Sequence, residues 1–137
     1  MVLYAVKIVC GIPQKQLNVK NPVLAPGEYW TAVNIYNPNP IVVKFGIEII
    51  VAPPDGTPKK SGPGGSMILD ADSALEIDRD LMIAKLDSTS ERTPFFKGFL
   101  VINSPKELDV VAVYTVVGKT GDVAFHTERV PPRTVIK

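Results

Sequence analysis

The sequence contains few of the residues on which catalysis, metal binding and disulfide formation depend. Its 137 residues include one cysteine and one histidine. A single cysteine excludes an intramolecular disulfide, and one cysteine with one histidine cannot form a usual zinc site without carboxylates. The sequon Asn-x-Ser/Thr, the acceptor for N-glycosylation, does not occur. The chemistry available to this chain is therefore narrow.

The sequence also has almost no excess of charge of either sign and no long apolar run. The formal net charge is +1, so the strongly basic surface of a nucleic-acid-binding protein is not expected. No stretch approaches 18 uncharged apolar residues, which argues against a transmembrane helix. The first residues, MVLYAVKIVCG, do not resemble a signal peptide because Lys7 interrupts the apolar run. The compartment stays open, since a cytoplasmic protein and a protein exported after processing both fit.

The sequence does contain apolar residues that alternate with a period of two, the pattern of β-strands. The clearest case runs from Ile41 to Ala52. The same pattern predicts strands over Leu3–Cys10, Tyr29–Tyr36, Phe95–Asn103, Glu107–Val117 and Asp122–Val130. The strand Glu107–Val117 is apolar on both faces, so we expect both faces to be covered.

Proline and glycine mark the connections. The stretch NPNP, Asn37–Pro40, predicts a tight turn that makes a hairpin of the strands on either side. Residues Gly118–Gly121 predict a second hairpin. The Pro/Gly-rich stretch 53–66 predicts a mobile loop, and residues 131–137, which begin with two prolines, predict a C-terminal tail.

The stretch Met67–Asp87 allows two interpretations. It can form two short strands, or a strand that ends at Ile77 and is followed by a short helix near 78–86. Asp78 is a suitable N-cap for that helix, and Asp80 would lie in its first turn, where a negative charge is favourable. Together the elements predict one all-β domain over residues 1–137. We expect an antiparallel two-sheet sandwich, immunoglobulin-like or jelly-roll in topology, with at most one short helix.

One pair of residues could act as a base and its orienting carboxylate, namely His126 and Glu128. They would be exposed neighbours if the face with Val123 and Phe125 is the core, and the alternative is a solvated strand face. Cys10 could join His126 only if the first and last strands are adjacent, and its apolar companions favour a buried, inert thiol. No catalytic residue is therefore predicted.

Carboxylates concentrate between Asp70 and Asp80, although not with EF-hand spacing. In a strand, Glu76, Asp78 and Asp80 would project to one side and could bind a cation; the alternative is a solvated face with a helix cap. The aromatic residues Trp30, Tyr36 and Tyr114 could line a ligand surface or form cross-strand pairs. The stretch SGPGGS lacks the Lys-Ser/Thr of a P-loop, and no cofactor is predicted.

Longer pieces of the chain resemble known proteins. The hairpin-like VNIYNPNPIVVKFGIEI is similar to the NPN hairpin of immunoglobulin-like and late-embryogenesis-abundant-type domains. Over most of its length the chain resembles an uncharacterised group of small prokaryotic β-sandwich proteins, in the pieces YAVKIVCG, VNIYNPN, ALEID, KGFLVINSPKELDVVAVYTV and ERVPPR. That group often has a second cysteine after EID, where Arg79 stands here, so the resemblance implies that Cys10 lacks a disulfide partner. It also implies a β-sandwich and a non-enzymatic role.

Three functions remain. The residue types favour a non-enzymatic structural module that self-assembles into a homo-oligomer through strand edges, apolar faces and the proline-rich arms Ile12–Gly27 and Pro131–Lys137. The alternative is a binding module for a small ligand, glycan or cation through loops at one end of the sandwich. An enzyme that uses His126 and Glu128 is the third and least favoured.

Overall fold

The computed structural model describes residues 1–13, 25–53, 56–58, 64–85 and 95–135, and these form nine strands and one helix. Their bounds are β1 Val2–Gly11, β2 Glu28–Tyr36, β3 Val43–Val51, β4 Gly65–Leu69, β5 Ala74–Ile77, α1 Arg79–Lys85, β6 Phe95–Ser104, β7 Asp109–Val117, β8 Val123–Arg129 and β9 Arg133–Thr134. All the predicted strands are present, and the prediction of an antiparallel all-β protein with one short helix is confirmed. Half of the predicted loop 53–66 and most of the predicted arm Ile12–Gly27 lie outside the described residues, and β4 begins at Gly65.

The strands form one hydrogen-bonded sheet in the order β4-β3-β6-β1-β2-β7-β8, with β5 beside β2 and β9 beside β1. All of the described strand pairs are antiparallel, and β1 with β6 is the longest. Only one register pair, Gly11 with Tyr29, joins β1 to β2. The predicted division into two separate sheets is thus not confirmed, because β1 continues to Gly11 and bonds to β2 there. We refer below to the first half of the sheet (β4, β3, β6, β1, β9) and the second half (β5, β2, β7, β8).

A threonine side chain strengthens the narrow junction between the two halves. The Val9 amide donates to Thr31 Oγ1 at 2.9 Å, and the Thr31 hydroxyl donates to the Val9 carbonyl at the same distance. Thr31 is buried, so this pair of bonds satisfies a hydroxyl that would be costly to bury without partners. The side chain therefore replaces the ladder hydrogen bonds that β1 and β2 do not make to each other at this point.

Each central strand buries every second residue, as the period of two predicts. In β3 the buried residues are Val43, Phe45, Ile47 and Ile49, whereas Ile41 is 51 % exposed because the strand begins two residues later than predicted. The buried set also includes Tyr4, Val6, Ile8, Cys10, Val33, Ile35, Leu100, Ile102, Val110 and Ala112. The core thus collects one face of the strands in both halves.

The predicted hairpin of the strands on either side of Asn37–Pro40 is wrong. β2 pairs with β7 along one edge and with β5 and β1 along the other, so neither edge is open to β3. β3 instead pairs with β4 and β6 in the first half. The NPNP stretch therefore carries the chain from one half of the sheet to the other.

The buried side chain of Asn37 holds this crossing in place. Its amide group donates to the carbonyls of Ile41 (2.9 Å), Leu69 (3.0 Å) and Asp70 (3.1 Å), and its oxygen accepts from the backbone and side-chain nitrogens of Asn39. Two backbone hydrogen bonds reinforce this contact: the Asn37 backbone amide donates to the Ser73 carbonyl, and the Asp72 amide donates to the Asn37 carbonyl. One asparagine thus joins the chain crossing to the turn between β4 and β5.

The ambiguous stretch after Met67 contains two short strands and the predicted helix. The Leu81 amide donates to Asp78 Oδ1 at 2.9 Å, which confirms Asp78 as the N-cap, and Asp80 lies in the first turn. Met82 is fully buried and fixes the helix to the core. Because the strand ends at Ile77, Asp78 and Asp80 do not continue the strand face on which Glu76 lies.

Candidate functional site

His126 and Glu128 lie on the same face of β8, but the core lies on the other side from the one assumed. The prediction of an exposed pair required Val123 and Phe125 to lie in the core, but these side chains are 65 % and 68 % exposed. The register places His126 opposite Tyr114 and Glu128 opposite Ala112, on the side of β7 that carries buried residues. Among the described residues, neither side chain hydrogen-bonds to the other.

The environment of His126 is that of a cross-strand aromatic pair. Its ring stacks on Tyr114 with centroids 6.2 Å apart and planes inclined by 20°. The Tyr114 hydroxyl donates to the Lys7 carbonyl at 2.6 Å. Burial raises the pKa of Tyr114, and the charge of Glu128 raises it further, so this hydroxyl keeps its proton and its hydrogen bond near neutral pH. Among the residues that the structure describes, the neighbour of His126 is thus a tyrosine in a structural hydrogen bond rather than an activated nucleophile.

Cys10 is buried and far along the sheet from His126. β2 and β7 separate its strand from β8, so the adjacency that a Cys-His pair required is not found. Burial raises the pKa of the Cys10 thiol, while hydrogen bonding with Thr31 and the charge of Arg79 oppose that rise. Since the thiolate is the reactive form, the structure places an inert thiol here.

We expect Cys10 to react with a disulfide reagent such as DTNB only as fast as the protein opens. At pH 8 the native rate should be slower than the rate in denaturant by about two orders of magnitude or more. The control is Lys119→Cys, in an exposed turn, which adds one fast-reacting thiol to the same folded chain. Rapid modification of Cys10 in the native protein, alongside an unchanged unfolding temperature, would contradict its burial.

The three carboxylates proposed for a cation site are all exposed but do not share one strand face. Glu76 lies on β5 opposite Asn34, Asp78 caps the helix, and Asp80 follows in its first turn. Within the described ranges, no group of three or more His, Cys, Asp or Glu is placed to hold a metal ion. The strand geometry on which the cation prediction rested is therefore absent.

The aromatic residues named in the sequence analysis divide between the two faces of the second half. Trp30 and Tyr36 point to its outer side and are 38 % and 37 % exposed, whereas Tyr114 points inward and pairs with His126. The Arg79 guanidinium lies 5.2 Å from the centre of the Trp30 ring. The Tyr36 hydroxyl donates to the Asp72 carboxylate. Both outer rings are thus held in place while keeping part of their surface in water.

The Trp30 ring belongs to a larger apolar surface that we call the outer face, formed by side chains from the three paired strands β2, β7 and β8. In register across the sheet, Trp30 lies beside Thr115 and Phe125, and Val117 lies beside Val123. The half-buried Val111 and Val113 continue the surface, so the predicted full cover over both faces of this strand is only partial. The outer face consists of Trp30, Val111, Val113, Val117, Val123 and Phe125.

Strand β8 is the longest of the described strands whose residues are all exposed. All seven of its residues, Val123–Arg129, are exposed, so no described part of the chain covers either of its faces. Arg129 is anchored by an ion pair with Asp109 at 2.7 Å, although 77 % of its side chain remains accessible. The sequence carried a signal of this: polar and charged residues occur on both faces of the strand, leaving only Val123, Ala124 and Phe125 as apolar positions.

The pairing of β8 with β7 determines which backbone groups of β8 point to its other edge, which no described strand pairs. The Gly118 amide donates to the Asp122 carbonyl at 2.7 Å, and the Val130 amide donates to the Val110 carbonyl at 2.9 Å. In an antiparallel ladder, residues that bond directly to the partner strand alternate with residues that do not. The backbone groups directed away from β7, to the free edge, are therefore those of Val123, Phe125, Thr127 and Arg129.

The fold and this surface define the chain as an antiparallel all-β protein with one strongly exposed edge strand. Its fold is similar to that of Thermotoga maritima 1070, whose crystal structure is known. The TM-score is 0.56 and the sequence identity is 15 %, and the match covers 94 % of this chain and 91 % of that one. At this identity the likeness concerns the fold alone. No protein-family model and no curated protein sequence matches the chain. The described part of the chain contains no helix of the length and hydropathy that a membrane span requires.

Proposed function

We propose that this protein is a non-enzymatic structural module that self-assembles into a homo-oligomer. The observation that carries the proposal is β8, a strand of seven exposed residues with one edge that no described strand pairs. Proteins that stay monomeric usually shorten, bend or cover such edges, since unpaired amides and carbonyls form a template for another chain. An open edge of this length fits a partner strand.

The outer face beside this edge supports the same proposal. Val123 and Phe125 are about two-thirds exposed, and Trp30 adds a partly exposed indole in register with Phe125. Scattered exposed apolar residues are ordinary, whereas contiguous ones next to an open strand edge mark an interaction surface. The opposite end of the sheet offers less, because β4 is only five residues long.

The C-terminal arm Pro131–Lys137 contributes less to the proposal than the edge and the face. Within the tail, Arg133 and Thr134 form β9 and pair with Leu3 and Val2 of the same chain. The Val135 amide also donates to the Met1 carbonyl at 3.1 Å. This part of the tail is therefore already bound to its own chain.

We further propose that the two halves of the sheet pack face to face as the two layers of a sandwich, immunoglobulin-like or jelly-roll, as the resemblance to small prokaryotic β-sandwich proteins implies. The Tyr4 hydroxyl donates to the Leu108 carbonyl and accepts from the Leu108 amide, both at 2.7 Å. The Tyr114 hydroxyl reaches the Lys7 carbonyl. These bonds link β1 with β7 and the residue before it, although the two strands are not neighbours in the sheet order.

Light scattering coupled to size-exclusion chromatography tests the self-assembly. We expect a mass that is a multiple of 14.9 kDa and that falls on dilution if the contacts are reversible. A mass of one chain over about a hundredfold range of concentration would overturn the proposal. The alternative, a module that binds a small ligand, glycan or cation through loops, would then be tested by thermal shift, with calcium as the first probe.

A further inference from the structure

We infer that two copies of the chain join through β8, antiparallel and edge to edge, around a twofold axis at Thr127. This inference rests on the proposed self-assembly and names the surface and the register. The result would be one continuous sheet, in which the second half of each copy extends the other. It would cover an edge that no described residue of the chain itself covers.

The direction of the backbone groups restricts how two such strands can pair. Only odd-numbered residues of β8 present amides and carbonyls to the free edge, so each bonded pair must join two odd-numbered residues. A twofold axis between two residues would pair odd with even and leave the ladder unbonded. The axis must therefore pass through a residue. Pairing of at least five strand residues from each copy is possible only around Phe125, His126 or Thr127.

Charge selects among these three registers. Around Phe125, Glu128 would face Asp122 of the partner subunit, which sets two carboxylates against each other. Around His126, the two His126 side chains would face each other across the axis, and Glu128 would face Ala124 of the partner subunit. Around Thr127, His126 faces Glu128 of the partner subunit, and this favourable pair occurs twice by symmetry.

The outer side of the strand favours the same register. Around Thr127, Phe125 lies opposite Arg129 of the partner subunit, again twice. A guanidinium above an aromatic ring is attractive, and Arg129 is held by Asp109 while most of its side chain stays accessible. The two threonines at the centre are β-branched and suit a paired strand. In this arrangement the His126 and Glu128 that resemble a catalytic pair in the sequence act between subunits.

Disulfide trapping reads the register directly. In the inferred dimer Thr127 forms a bonded pair with its own copy, at a Cα separation of about 5.5 Å, which a disulfide can span. We expect Thr127→Cys to cross-link most chains under mild oxidation, whereas His126→Cys and Phe125→Cys cross-link at least about tenfold more slowly. The unmodified protein, with its buried Cys10, should not cross-link.

Charge reversal supplies a second, independent measurement. His126→Glu sets two pairs of carboxylates against each other across the axis, and we expect the dissociation constant to rise by about tenfold or more. Adding Glu128→Lys to that variant places a lysine opposite each glutamate and should return the constant to near the original value. Both positions are exposed, so circular dichroism should report an unchanged fold.

The possible failures separate the inference from the proposed function. If the unmodified protein is monomeric, both the inferred β8 dimer and the proposed self-assembly are wrong. An oligomer whose best cross-linker is His126→Cys or Phe125→Cys overturns the register, and an oligomer that none of the three cysteines traps overturns the use of β8. In the last two cases self-assembly itself stands.

Discussion

Gly98→Ala is expected to remove most of the stability of the protein. Gly98 is buried in β6, between β1 and β3, and a Cβ atom there would lie 2.0 Å from the Ile50 carbonyl oxygen and 2.9 Å from the Val51 Cα. These are backbone atoms of a paired strand, so no side-chain rotation relieves the clash. We expect a loss of about 3 kcal/mol or more in the free energy of unfolding, at the upper end of the cost of overpacking.

Thermal and urea unfolding of the variant measure this loss. A fall of roughly 10 °C or more in melting temperature is expected for a chain of this size. Gly46→Ala is the matched control, because it lies in the neighbouring strand β3 and a Cβ there would meet nothing closer than the Gly65 carbonyl at 4.0 Å. That variant should unfold within about 1 kcal/mol of the original protein. Equal stability of the two variants would mean that β3 and β6 do not approach closely at Gly98.

Asn37→Ala should produce a second large effect, because one amide satisfies five backbone and side-chain groups. Its loss leaves the carbonyls of Ile41, Leu69 and Asp70 and the two nitrogens of Asn39 without that partner. Each buried polar group left unsatisfied costs about 1–3 kcal/mol, although water will reach some of these groups. We expect a total loss of about 3 kcal/mol, measured by urea unfolding.

A second substitution separates hydrogen bonding from packing at this position. Asn37→Asp keeps the shape and the acceptor for Asn39 but directs an oxygen at three carbonyls. It should therefore be at least as destabilising as Asn37→Ala at neutral pH. Asn34→Ala is the control, because Asn34 lies on the outer side of β2, the strand that ends just before Asn37. This variant should change the free energy of unfolding by less than about 1 kcal/mol. If Asn37→Asp were as stable as the original protein, the amide would not be the group that holds the crossing.

Much of the strand content could be predicted from the sequence, and the partners of the strands could not. Alternation over Leu3–Cys10 and Phe95–Asn103 identifies which face of each strand is buried, because that depends on local spacing. Pairing depends on which edges are already occupied. The sequence around Asn37–Pro40 looks like a hairpin turn, yet both edges of β2 belong to other strands. The single Gly11–Tyr29 pair that merges two predicted sheets into one leaves no local signal either.

In the candidate surface, too, features set by nearby residues could be predicted from the sequence, whereas features set by distant strands could not. The helix cap at Asp78 was predictable because the bond spans three residues. The exposure of Phe125 was not, because an aromatic residue in an alternating strand is usually buried. Its position depends on β8 standing at the end of the sheet, beyond the reach of the described first half. The roles considered for His126 and Glu128 depended on that orientation.

The antiparallel pairing of β1 with β6 and β9 also constrains the order in which the chain can fold. β1 lies near the start of the sequence, whereas β6 and β9 come from its later part. During synthesis, β1 therefore has one edge unpaired, and the other joined only to β2 near Gly11, until β6 and β9 have left the ribosome. Contacts between such distant segments slow folding and leave apolar strands exposed to aggregation in the interval. The same sheet that makes the folded protein stable thus makes the folding of β1 depend on strands that are synthesised much later.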